Sequence, residues 1–178
     1  METQTSLVDQ LENAISSRDV ARRAAILGRV ADLLVVNSGK FSEQHVELFD
    51  DVMTRLLDSV EEDARIRFAD RLATLTDAPP KTIRHLALDD AIEIAGPVLR
   101  HSDRIDENTL IEVARMKGQD HLMAISGRKV LVEAVTDILV ERGNQAVVAR
   151  TAGNSGARFS ELGISNLVRK AGSDGSLA

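Results

Sequence analysis

The chain has no cysteine, no tryptophan and no tyrosine, and its 178 residues include only three prolines. Without cysteine there are no disulfides, thiolate metal sites or cysteine nucleophiles, which accords with a reducing compartment. Without Trp or Tyr the chain lacks the side chains most enriched at protein hot spots and the usual platforms for base stacking. Phe41, Phe49, Phe68 and Phe159 supply the whole 2% aromatic content, so a core must be built from Leu, Ile, Val and Ala. Positive charge is scarce too: 22 Lys and Arg stand against 28 Asp and Glu, a net charge of −6. That is the wrong sign for a general phosphate-binding surface, and nucleic acid is set aside as a partner. The opening Met1-Glu2-Thr3-Gln4 has no basic and then apolar leader pattern. The most apolar early run, Ala24 to Val36, is broken by Arg29 and Asp32 and is too short to span a bilayer. The expectation is a cytoplasmic protein with no membrane partner, long enough to bury roughly 70% of its unfolded surface.

What is present is a near-repeat in the second half. Leu110 to Gly118, Val135 to Gly143 and Ile164 to Gly172 share one pattern, with apolar side chains at Leu110/Val135/Ile164, Val113/Ile138/Leu167 and Ala114/Leu139/Val168. The terminal glycines are 25 and then 29 residues apart. Self-similarity at that period indicates stacked helical hairpins, because one such unit cannot bury its apolar face alone. All nine apolar positions are therefore expected to be mostly buried and equivalent.

The remaining segments also read with a period near 3.6. Leu7, Leu11 and Ile15 make a first helix after Ser6, and Ala21 to Val36 a second, ended by Asn37-Ser38-Gly39. Val46, Phe49, Val52/Met53, Leu56/Leu57 and Val60 form the stripe of a third, with Asp50, Asp51 and Asp58 mostly off it. Ser59 and Glu62 stand at capping-box spacing before a fourth, which carries Phe68, Leu72 and Leu75. Thr76 to Pro80 is the best internal boundary, since Pro suits a first helical turn. After it come shorter units: Ile83 to Leu88, Ile92 to Arg100, Asn108 to Lys117, Asp120 to Ser126, Leu131 to Arg142, Gln145 to Ala152 and Glu161 to Ala171. Pro97 should kink its helix or mark its start, and Asp106 is an N-cap candidate. The fold expected is all-α: an N-terminal helical bundle portion over 1–76, continuous with a helical-repeat superhelix over 77–178. The last unit lacks a second helix, which suggests a fragment of a longer protein, with a frayed natural tail as the alternative.

Asp77-Ala78-Pro79-Pro80, Leu86-Ala87-Leu88-Asp89-Asp90, Ile94-Ala95-Gly96-Pro97-Val98-Leu99 and Leu139-Val140-Glu141-Arg142-Gly143 together resemble domain of unknown function 2336. This is a mainly alphaproteobacterial family similar to variant HEAT repeats, and the resemblance runs from about Ala21 to Gly172. It implies a fold and a bacterial origin, and it brings no catalytic set with it.

Motifs for chemistry fail on inspection. Asn37-Ser38-Gly39-Lys40-Phe41 puts Phe41 where a phosphate loop needs a hydroxyl. Gly153-Asn154-Ser155-Gly156-Ala157 resembles a nucleophile elbow only superficially and reads as a tight turn between helices. His45, His85, His101 and His121 make no metal-binding doublet, and the acidic doublets Asp50-Asp51, Glu61-Glu62-Asp63 and Asp89-Asp90 lack the spacing of a calcium loop. No metal or cofactor is expected. Arg84-His85 and Arg100-His101 fall at similar places near two consecutive helices, where an anion pocket is the sharper reading and helix-end charges the plainer one. Lys117, Arg142 and Lys170 each precede a unit's terminal Gly by one or two residues, so stacking aligns them as a basic ladder. A cation there also suits a helix C-terminus.

Charge is uneven along the chain. Glu43 to Asp63 holds eight acids and only Arg55, whereas Arg142 to Gly172 holds five cations against Glu161. This reads as ordinary solvated faces, or as a means of steering a partner. The function expected is a non-catalytic interaction or regulatory adaptor that holds a protein partner on the repeat surface. The alternative is a small-molecule or nucleotide sensor with a pocket near Arg84, His85, Arg100 and His101.

Overall fold

The computed structural model describes residues 13, 16, 19–40 and 42–173, without the side chains of 45, 48 and 173. The helix expected around Leu7, Leu11 and Ile15 lies outside the described residues. Those described form helices and no sheet: α1 (Val20–Val36), α2 (Glu43–Leu57), α3 (Glu62–Leu72), α4 (Pro80–Ala87), α5 (Ile92–His101), α6 (Glu107–Met116), α7 (Gln119–Ser126), α8 (Glu133–Arg142), α9 (Gln145–Ala152) and α10 (Glu161–Ser173). They fall into two compact units, one running to Val98 with Ser102–Ile105, the other comprising Leu99–His101 and Asp106 onward. The division therefore lies at α5 and not at Thr76, because α4 packs on α2 and α3 and belongs with the helices before it.

In the first unit α1 packs on α3, and α2 on α4. Asp19 caps α1 by accepting from the Arg22 amide at 3.2 Å. Its end is turned by Asn37, whose amide nitrogen donates to Leu33 O, and by Gly39 at φ +79, a left-handed conformation that side chains with a Cβ rarely adopt. Val46, Phe49, Val52, Met53, Leu56 and Leu57 are all buried along α2. The helix stops at Leu57, short of Val60. Ser59 does not cap α3, as its hydroxyl donates back to Leu56 O at 2.8 Å and the N-cap position is held by Glu61 with no side-chain bond. Leu75 lies beyond α3 and is half-buried. Pro80 opens α4, as its fixed φ and missing N–H allow. Pro97 sits inside α5 rather than at its start.

In the second unit α6, α8 and α10 stack as one layer, with α7 and α9 as the other. Asp106 caps α6 through the Thr109 amide at 2.8 Å, and Asn144 caps α9 through the Val147 amide at 2.9 Å. Leu110, Val113, Ala114, Val135, Ile138 and Leu139 are all buried, as the repeat requires. The third set departs from it: Ile164 is 52% and Val168 65% exposed, and Leu167 is half-buried. Among the described helices α10 packs on α8 and has no hairpin mate of the kind α7 gives α6 and α9 gives α8. It turns Gly163 inward instead, where an added Cβ would lie 2.4 Å from Asp137 Oδ1. The helix also continues through Gly172, whereas Gly143 ends α8. Replacing Ile138 by Ala is expected to cost about 2 to 5 kcal/mol, and Ile164 by Ala less than about 0.5. Calorimetric unfolding measures both, and equal losses would contradict this burial difference.

Candidate functional site

Two of the three cations expected to form a basic ladder, Arg142 and Lys170, hold main-chain carbonyls of a neighbouring helix. Arg142, at the end of α8, donates through Nη1 to Ala114 O near the end of α6. Lys170, near the end of α10, donates to Glu141 O at 3.0 Å and Gly143 O at 3.3 Å at the end of α8. Each cation thus satisfies last-turn carbonyls of the preceding helix in its layer, where the helix leaves them unpaired and the macrodipole is negative. Lys117 takes the C-cap position of α6 and is half-buried. Arg128 uses the same device on Leu99 O at 2.7 Å. On the next turn Gln119 donates to Arg142 O at 3.0 Å and accepts from the Asn144 amide at 2.7 Å, clamping both sides of Gly143.

The turn read from Gly153 to Ala157 is a joint between hairpins. Asn154 Nδ2 donates to Ser126 O at 2.9 Å and Arg128 O at 2.8 Å, while its Oδ1 accepts from the Gly156 amide at 2.9 Å. Leu131 N donates to Gly156 O at 3.0 Å and Arg158 N to Leu131 O at 2.9 Å, a single parallel bridge that ties the segment before α8 to the one before α10. Ser155 is exposed in this turn.

The four residues of the suggested anion pocket sit at helix ends. Arg84 and His85 lie in the last turn of α4, and Arg100 and His101 end α5. His85 Nε2 is 3.0 Å from Asp58 Oδ1, and Arg84, Arg100 and His101 are exposed. A cleft of about 430 Å³ lies elsewhere in the first unit, lined by Glu43, Val46, Glu47, Asp50, Thr76, Asp77, Pro80, Lys81 and Arg104. His121 is buried. Among the described residues no group of three or more His, Asp or Glu side chains is placed to hold a metal ion.

The acidic doublets resolve into separate structural roles. Asp50 is 1% exposed and lies on the buried stripe of α2, contrary to expectation. It accepts from Lys81 N at 2.7 Å, Thr82 N at 2.6 Å and Thr82 Oγ1 at 2.6 Å, capping α4 from a neighbouring helix. Asp51 pairs with Lys81 Nζ at 2.7 Å, and that contact raises the lysine above its ordinary range. Asp89 accepts from the Ala91 amide at 3.0 Å and pairs with Arg65 at 2.6 Å. Asp77, missed in the sequence, accepts from Ser38 Oγ at 2.7 Å and from the Gly39 amide at 2.6 Å. Burial pushes its carboxyl up, but the Ser38 hydroxyl, the Gly39 and Asp77 amides and the Arg104 charge outweigh it, and the net shift is downward. A lowered aspartate stabilises the fold above its ordinary range, and the tether is lost as pH falls through the lowered value. Ser38 and Gly39, the phosphate-loop look-alike, thus bind the chain's own carboxylate.

Comparison with known proteins falls on the second half. Residues 94–178 match the model of a family described as "Uncharacterised protein conserved in bacteria (DUF2336)". This match agrees with the family that the sequence resembles. The DUF2336 match opens in α5 and takes in α6 to α10, so it is shorter than the resemblance read from Ala21 onward. It includes Lys117, Arg142 and Lys170 with the carbonyls that hold Arg142 and Lys170, and excludes Arg84, His85 and most of the residues lining the cleft. No curated protein and no solved structure matches the chain. Among the described residues no helix is long and apolar enough to cross a membrane.

Proposed function

We propose that the chain is a non-catalytic bacterial interaction module, an adaptor or regulatory unit of the cytoplasm that holds a protein partner on its stacked hairpins. The row of cations on the second unit carries this reading. Arg142 and Lys170 recur one and two residues before the glycines Gly143 and Gly172, and main-chain carbonyls fix their heads, so part of the ordering cost of binding is met beforehand. Arg142 is exposed, and a guanidinium has five N–H donors, more than its bond to Ala114 uses. Acidic or phosphorylated protein segments are the matching ligands.

The test starts from a partner purified with the protein from its native host and identified. Reversing Lys117, Arg142 and Lys170 to Glu is expected to lower its association rate at least about tenfold and to flatten the salt dependence. Calorimetry on the same variant separates binding from folding, since each lost carbonyl bond costs about 1 kcal/mol. Unchanged association kinetics would overturn the reading, as would turnover by the purified protein that a single change such as His85→Ala abolishes.

A small-molecule sensor is the second reading, and the cleft between α2 and the α4 start favours it. Its volume of about 430 Å³ suits a small ligand, and Glu43, Glu47, Asp50 and Asp77 outnumber Lys81 and Arg104 along it, which suits a cationic one. A ligand at 100 times its dissociation constant raises stability by about 2.7 kcal/mol, which calorimetry against a metabolite panel detects.

A further inference from the structure

We infer that α10 pairs antiparallel with α10 of a second copy of the chain, about a two-fold axis at Ser165. The inference is independent of the cation row. Leu162, Ile164 and Val168 are 66%, 52% and 65% exposed, so one 13-residue helix carries three of the large apolar side chains that the second unit leaves in solvent. Gly163 is turned inward, and Asn166, Leu167, Lys170 and Ala171 are half-buried. At about 100° per residue, the opposite side of the helix is centred on Ser165, with Glu161 and Arg169 about 40° to either side, Leu162 and Val168 about 60° to either side, and Ile164 further round.

That side is self-complementary in one register. A two-fold closed pair is isologous, so an axis at Ser165 brings position 165 minus k of one copy level with position 165 plus k of the other. Leu162 then stands level with Val168 of the second copy, and Glu161 level with its Arg169, so one axis position brings both an apolar and a charged pair to the same heights. Ser165, small and exposed at the centre, allows the two backbones a close approach. Arg169 is held along the helix by its bond to Asn166 Oδ1 at 3.0 Å. A parallel pairing would instead set Arg169 against Arg169 and Glu161 against Glu161. One helix from each copy buries a small area, in the class below about 1,200 Å², so the dimer is a reversible one.

Sedimentation of the full chain over roughly 10 μM to 1 mM tests the pairing, with far-UV circular dichroism as the check on folding. The wild type should pass from monomer to dimer across that range. Glu161→Arg and Arg169→Glu should each raise the dimer dissociation constant about tenfold by opposing like charges, and the combined exchange should restore it. Val168→Asp should leave a folded monomer. A wild type that stays monomeric throughout overturns the inference. So does a dimer that the single charge changes leave intact, or one that the combined exchange does not rescue.

Discussion

Asp50→Ala is expected to destabilise the protein by about 3 to 5 kcal/mol, out of a typical total of roughly 5 to 15. The carboxylate is 1% exposed and accepts three hydrogen bonds, two of them from the amides that open α4. Removing it strands the amide and hydroxyl of Thr82, which is fully buried, and a buried donor left unmade costs more than the bond contributed. It also deletes the anion that faces the positive end of α4. Asp50→Asn keeps one oxygen acceptor, so it should lose about half as much. With no Trp or Tyr to report by fluorescence, scanning calorimetry is the measurement. A shift of roughly 10 °C or more is expected for the Ala variant, and one of about 1 °C would mean that α4 does not depend on this cap.

Gly156→Ala should cost about 3 kcal/mol or more, for a different reason. A Cβ at Gly156 would lie 1.8 Å from Lys129 O and 2.8 Å from its carbonyl carbon, both main-chain atoms that no rotamer change can move aside. Relief requires the segment before α10 to part from the segment before α8. That sacrifices the bonds between Leu131 and Gly156 and between Arg158 and Leu131, and strains the Asn154 bonds to Ser126 O and Arg128 O. Gly172→Ala is the control. No atom lies within 4 Å of its added Cβ, and the change in a helix should be neutral or stabilising by up to about 1 kcal/mol. Calorimetry on the two variants decides the point, since similar effects would mean that Gly156 does not hold the joint.

The helical class was legible because it rests on local pattern. The stripe Val46, Phe49, Val52/Met53, Leu56/Leu57 and the paired sets Leu110/Val113/Ala114 and Val135/Ile138/Leu139 follow from a period of 3.6, and all of these are buried. Pro80 at the start of α4 and Asp106 as the cap of α6 are equally local, each set by one residue's geometry. Of the candidate site, the recurrence of a cation one or two residues before Gly143 and Gly172 was readable from spacing alone.

What these residues hold was decided in three dimensions. That Arg142 and Lys170 reach carbonyls of the preceding helix depends on the stacking of α6, α8 and α10, which a linear pattern does not specify. Asp50 looked like a solvated acid because its partners, Lys81 and Thr82, are about 30 residues away and reach it only when α4 packs on α2. Ile164 and Val168 match buried positions in the earlier units yet stand in solvent. Periodicity in the sequence determined which residues share a face of α10. Whether that face is covered depends on a neighbouring helix, because burial is a property of packed surfaces and not of one segment.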